Sequence, residues 1–225
     1  MKKSSLFTMA AAAIFALASC NSAADKKVET TDAQEAATSD EAAQYAIASD
    51  AKVYWKGFKT NVDWSHWGTI NVEDGAFEVK NGELVGGSFS IDMTSMVAED
   101  FKESPKYNDL MGHLASPDFF DVENHPKSKF TITNVVASAD ETKGTTHKVS
   151  GNLDVRGISK NITFDATVVV EDGMVTLSAP EFGIDRKEWN VMYNSTGSPD
   201  VASFTKDKFI DDTILLWLEV SGASI

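Results

Sequence analysis

From Asn161 to Val170 the chain alternates without a break: Ile162, Phe164, Ala166, Val168 and Val170 fall on one side, Thr163, Asp165 and Thr167 on the other. A period of two is what a strand with one buried face requires, and a helix could not hide that row. Asp172-Gly173 follows, a pair suited to the positive φ values of a tight hairpin, and Met174 to Ala179 reads as the returning strand. The pattern recurs along the chain. Tyr45 with Ile47 and Val53 with Trp55 open extended runs, and Gly68 to Val72 is a short strand closed by the turn pair Asp74-Gly75. Phe77 and Val79 lead into the hairpin signal Asn81-Gly82, and Gly86 to Met93 puts Phe89, Ile91 and Met93 on one face. Later come Lys129 to Val136, a turn-rich Ser138 to Gly144, Lys148 to Val155, and Thr213 to Val220. Roughly eight strands at short intervals, with no βαβ spacing, predict an all-β antiparallel sandwich or closed barrel. A barrel of this size can be filled by side chains or can hold one ligand, and alternation does not choose between them.

One stretch departs from the pattern. Thr94 to Asp121 is polar and partly helical. Within it Ser116 suits an N-cap, Pro117 the first helical position and Asp118 the first turn. The expectation is a short helix there that presents Phe119 and Phe120 at the mouth of the sheet. Pro126 then forbids further helix and pushes His125 into an extended conformation.

The ends differ in composition from the 225-residue whole, which is 42% hydrophobic and 24% charged. Lys2 and Lys3 precede an apolar run, Leu6 to Ala18, too short to span a bilayer. Residues 1–19 therefore read as a signal peptide, and Leu17-Ala18-Ser19-Cys20 resembles a bacterial lipobox, with Cys20 as the lipidated residue. Removing residues 1–19 leaves 18 basic residues facing 34 acidic ones, a net charge of −16. Such a surface argues against nucleic acid and against electrostatic adhesion to anionic lipid, so attachment falls to the acyl chains and the body stands off the membrane. Residues 20–44 carry no aromatic side chain before Tyr45 and read as a disordered acidic tether. The folded domain is expected over residues 45–225.

Catalytic signatures are missing from the sequence. His66, His113, His125 and His147 are scattered, with no metal-ligand spacing, and there is no G-x-S-x-G and no phosphate-cradling glycine loop. No metal, cofactor or catalytic residue is therefore expected. Asp154-Val-Arg156-Gly157 and Asp185-Arg186 could be surface ion pairs, or either arginine could meet a polar head group at a barrel mouth.

Gly86-Gly-Ser-Phe-Ser-Ile-Asp-Met-Thr-Ser95, Gly112-His-Leu-Ala-Ser-Pro-Asp-Phe-Phe-Asp121, Pro126 to Phe130, Gly151 to Gly157 with Ile162 to Phe164, and Phe182 to Arg186 occur in an order that resembles the YceI-like family of lipid- and polyisoprenoid-binding proteins. The resemblance departs after Arg186, where Lys187 to Asn194 keeps Trp189 and Tyr193 but lacks the glycines and the later arginine of related chains. It implies a lipocalin-like eight-stranded antiparallel β-barrel with the helical excursion near one end. Alternation then puts Trp55, Phe89, Ile91, Met93, Phe130, Ile132, Leu153, Phe164 and Leu218 in the lumen. Phe119 and Phe120 would line one end, with His113 and Arg186 as polar groups at the mouth. The function implied is non-enzymatic binding, storage or transport of a polyisoprenoid, quinone or fatty-acyl ligand by a lipid-anchored protein of the cell envelope, on the periplasmic side or at the outer membrane. The alternative is an envelope interaction module with a filled core that works through its outer surface, including the Trp64/Trp67 loop. A homodimer is compatible with both.

Overall fold

Strands with one apolar face and two bare edges need partners on both sides, and here the sheet supplies them by closing on itself. A computed structural model describes residues 23–60, 62–198, 202, 205 and 208–225. The expected signal peptide and Cys20 lie outside the described residues. Among the described residues the strands are β1 (Thr30–Asp32), β2 (Ala43–Ile47), β3 (Lys52–Phe58), β4 (Ser65–Lys80), β5 (Glu83–Ala98), β6 (Lys127–Asp140), β7 (Thr145–Val155), β8 (Ile158–Glu171), β9 (Met174–Asp185) and β10 (Thr213–Ser224), with one α-helix, α1 (Tyr107–Ala115). β4 to β10 are successive antiparallel neighbours, and β10 returns to β2 and β3, both of which pair with β4. β2 and β3 thus share one position in the wall. The fold is a closed eight-stranded antiparallel barrel, as in lipocalins.

Its two ends are built differently. At one, Asn81-Gly82 (φ 55° and 81°) and Asp172-Gly173 (φ 48° and 74°) make two-residue turns with both residues in the left-handed region. At the other lie residues 59–60, 62–64, 99–126, 186–198 and 208–212, beside the tight turn Arg156-Gly157. We refer to these as the hairpin end and the capped end. Between them Phe89, Phe130, Phe164 and Phe182 cross the interior in ring-to-ring contact, with centroids 5.5, 5.7 and 4.6 Å apart in turn. These four rings form a floor.

Three sequence expectations are corrected. Ser116 ends a helix instead of starting one: it is the C-cap of α1, and its hydroxyl donates to His113 O at 2.8 Å. Pro117 holds Ser116 in an extended conformation (ψ 167°), so the helix must stop before it. Asp74-Gly75 is no turn, because β4 runs through it with a change of register between Val72 and Asp74, and Gly75 (φ 145°) absorbs the irregularity.

The third correction concerns the tether. Thr30, Thr31 and Asp32 pair with Ile162, Asn161 and Lys160, and the Val28 N–H donates to Gly183 O at 2.8 Å. Gln34 and Asn152 exchange two hydrogen bonds, at 3.0 and 2.7 Å, and the Ala37 N–H donates to Ile132 O at 3.0 Å. The β8–β9 ladder covers only Thr167 to Glu171 against Met174 to Ser178, which leaves a seam of bare backbone on both strands. Any extended segment can satisfy those groups without burying apolar surface. Composition counts apolar residues and is blind to that need.

Candidate functional site

A cavity of about 110 Å³ lies between the phenyl floor and the capped end. Val53 and Trp55 of β3, Ile70 of β4, Ile91, Met93 and Met96 of β5, Leu153 and Val155 of β7, and Ile214 and Leu216 of β10 form its wall. Leu114 of α1, Phe119, Phe120 and Ile210 close it from above. Met93 and Met96 both face inward although three residues apart. Asp92 makes this so, because its carboxylate accepts from the Thr94 N–H and hydroxyl and its carbonyl from Ser95 Oγ, a local turn that shifts the strand's phase. A second cavity of about 100 Å³ adjoins it and shares Trp55, Gly57, Leu114, Phe119 and Ile210.

Of the residues expected in the lumen or at its mouth, Trp55, Ile91, Met93, Phe119, Phe120, Leu153 and Arg186 meet at the first cavity. His113 lines the second, edge-on to the Phe119 and Tyr193 rings at 5.1 and 4.5 Å, with Nε2 3.5 Å from Asp118. Phe89, Phe130, Ile132, Phe164 and Leu218 are buried but border neither space. The first, second and fourth of these are the floor itself, and Ile132 lies in the solid half beneath. Leu114, Met96, Val155, Ile210 and Leu216 were not among the expected site residues. The Asp-x-Thr-Ser turn signal at Asp92 could have revealed Met96, whereas the capping residues come from connections that carry no strand period.

Both arginines are spent on the protein's own carbonyls. Arg186 is 1% exposed and donates to Asp211 O, Val191 O and Ile210 O at 2.9, 2.7 and 3.0 Å. Burial pulls its pKa below the ordinary guanidinium value, against the opposing charges of Asp212, Asp185 and Asp211. Arg156, in a left-handed turn position (φ 52°), donates to Phe119 O, Asn190 O and Pro117 O at 2.5, 3.1 and 3.1 Å. It stitches the two long connections together above the cavity. Trp189, 1% exposed, completes this end by donating its indole N–H to Leu153 O at 2.9 Å.

Residues 45–221 match the model of the YceI-like domain. The chain belongs to the YceI-like family. A UPF0312 protein of Pseudomonas putida strain F1 is 32% identical over 131 residues, covering 54% of this chain and 63% of its own length. The chain thus spans less than two thirds of that curated relative. BcnA of Burkholderia cenocepacia is similar in structure, with a TM-score of 0.53 and 18% identity over 76% of this chain and 95% of its own. So is a polyisoprenoid binding domain from Saccharophagus degradans implicated in plant cell wall breakdown, with a TM-score of 0.54 and 12% identity over 82% of this chain and 100% of its own. At such identities the likeness is one of fold, and the YceI-like barrel's own residues must carry any account of its ligand.

Proposed function

We propose that this barrel binds a chain-like apolar molecule at its capped end, performs no chemistry on it, and stores or carries it at the cell envelope, held there by a lipid on Cys20. The carrying observation is the apolar cavity above the phenyl floor, with a second space directly beside it. At about 110 Å³ the first is smaller than the roughly 150 Å³ that holds a benzene ring. A longer molecule therefore requires Leu114 and Phe119, which stand between the two spaces, to move and join them. Each Å² of ligand surface withdrawn from water then contributes about 25 cal/mol. The polyisoprenoid binding named for the Saccharophagus domain supports an isoprenoid, quinone or fatty-acyl chain as the class.

The test is organic extraction and mass spectrometry of protein purified without detergent, repeated on Met93→Trp. A long-chain species in the parent and its loss in the variant is the expected outcome. A clean extract from the parent, together with refusal of added polyprenyl and fatty-acyl chains, rejects the reading. Met93 is the better position for this block than Ile132, because Ile132 is fully buried in the solid half and a bulky residue there attacks the fold.

A second reading rests on the outer surface. Trp67 and Trp64 are 40% and 38% exposed, and Trp67 adjoins Trp217, which stacks on Tyr54 with centroids 5.3 Å apart. An aromatic face of this kind suits another envelope protein or a second copy of the chain. Crosslinking from Trp67→Cys would recover that partner, and only monomer in native membranes would reject it.

A further inference from the structure

Between β8 and β9 the barrel wall is not made by consecutive strands alone. β8 from Ile158 to Ala166 and β9 from Ala179 to Asp185 form no ladder with each other, and the strip Lys27 to Gln34 meets both. It runs parallel to β9 at Gly183 and antiparallel to β8 from Ile162 to Lys160, as a strand inserted between antiparallel neighbours must. The seat is shaped for backbone. A Cβ at Gly183 would stand 3.3 Å from Lys27 Cα and 2.6 Å from Thr213 Cγ2, so a side chain there would crowd the strip.

What holds the strip is transferable. Lys27 pairs with Asp185 at 3.0 Å and Asp32 with Lys160 at 2.9 Å, and Val28 packs against the core. Exposed ion pairs of this kind hold weakly. With the strip gone, two bare edges face each other, and bare edges recruit strands. The recruit must put a lysine opposite Asp185, an acid opposite Lys160 and an apolar side chain between them. The strip of a second copy does all three by identity. The connection to β2 decides which copy supplies it. There the Ala42 N–H donates to Ser39 O at 3.3 Å, in a turn that holds Glu41 at φ 69°. A glutamate in the left-handed region is strained, and a connection opened toward a neighbouring barrel is free of that turn.

We propose that the strip is exchanged between two copies of this chain. Each N-terminal arm leaves its own seam and closes that of the other barrel, giving a symmetric dimer that keeps every bond of the seam. The exchange rests on neither the cavity nor the Trp67 face. It couples the two copies through their arms, so that each barrel is held by the other's chain.

The experiment uses the full chain with Cys20→Ser in two further variants, Asp32→Cys and Lys160→Cys. They are mixed, concentrated in high salt to weaken the ion pairs, returned to low salt and treated with a short bismaleimide. Without exchange the two cysteines stay on separate molecules and the mixture keeps the monomer mass. With exchange they face each other across the seam, and a covalent species of twice that mass is expected. Neither variant alone should give it, and the double variant, bridged within one chain in the closed form, shows that the pair is in reach. A mixture that stays monomeric, or equal bridging by either variant alone, overturns the proposal. The connection gives a second test by light scattering. Proline cannot adopt the φ of Glu41 and glycine adopts it freely, so Glu41→Pro should dimerise about tenfold more tightly than Glu41→Gly. If Glu41→Pro is no more dimeric than Glu41→Gly, the exchange does not occur.

Discussion

At the hairpin end Phe77, Ile132, Val149, Leu177 and Val220 are completely buried, whereas Val53, Trp55, Ile70 and Leu114 around the cavity keep 7–8% of their surface. Both halves are made by one set of strands with one period, so alternation cannot account for the difference. Rings and caps do. In the floor Phe130 lies against Gly151, where a Cβ would stand 2.2 Å from its Cζ, so the missing side chain gives the ring its place. Above the floor the barrel is roofed by connections whose geometry depends on two arginines gripping carbonyls. A barrel's free volume is thus set by where its rings cross and what closes its mouth.

The largest effect that could break this comparison is a truncation on either side of the floor. Ile132→Ala should cost about 3–4 kcal/mol in urea unfolding, the ordinary price of a new hole in a solid core. Met93→Ala, which already faces free space and has fewer atoms in contact, should cost about 1–2 kcal/mol. Equal losses would mean that the two halves are packed alike. Next comes the roof. Arg156→Lys cannot reach three carbonyls and should destabilise by about 1–3 kcal/mol while leaving the barrel's far-ultraviolet spectrum intact. Arg156→Gly suits the φ of 52° better yet loses the same grip, so if it is harmless the stitch is not what holds the cap.

A smaller effect sharpens the comparison through pH. Burial alone would raise the Asp212 carboxyl, but Lys187 and Thr196 donate to it and hold it below its ordinary 3.8. A depressed carboxylate contributes stability above its unfolded value, and that contribution is lost as pH falls through the folded one. Acid should therefore loosen the capped end, and Asp212→Asn should flatten the decline in melting temperature below about pH 4. An unchanged acid limb would argue that this carboxylate does not hold the roof. The smallest effect is expected at the exposed Lys160–Asp32 pair, where Asp32→Ala should leave the melting temperature unmoved.

Much of the barrel was legible because buried faces must alternate, and Asn81-Gly82 and Asp172-Gly173 announce their hairpins. What alternation could not give was depth along the axis. Phe164 and Leu153 obey the same rule, yet one closes a floor and the other walls a cavity. Asp74-Gly75 carries turn chemistry that a bulge uses equally well, and Ser116 suits either end of a helix until Pro117 is seen to act on the residue before it.

The strip from Lys27 to Gln34 has a mechanical consequence. It meets β8 over three residue pairs and β9 at one, while every other wall strand is zipped along most of its length. Whatever draws on the chain upstream of Ala23 draws on this strip before it reaches the barrel. A pull along the wall loads all its bonds together, and a pull away from the wall opens them one after another. The strip is a fuse, yielding under sideways force well before the longer ladders of the wall and baring the seam between β8 and β9 as it leaves.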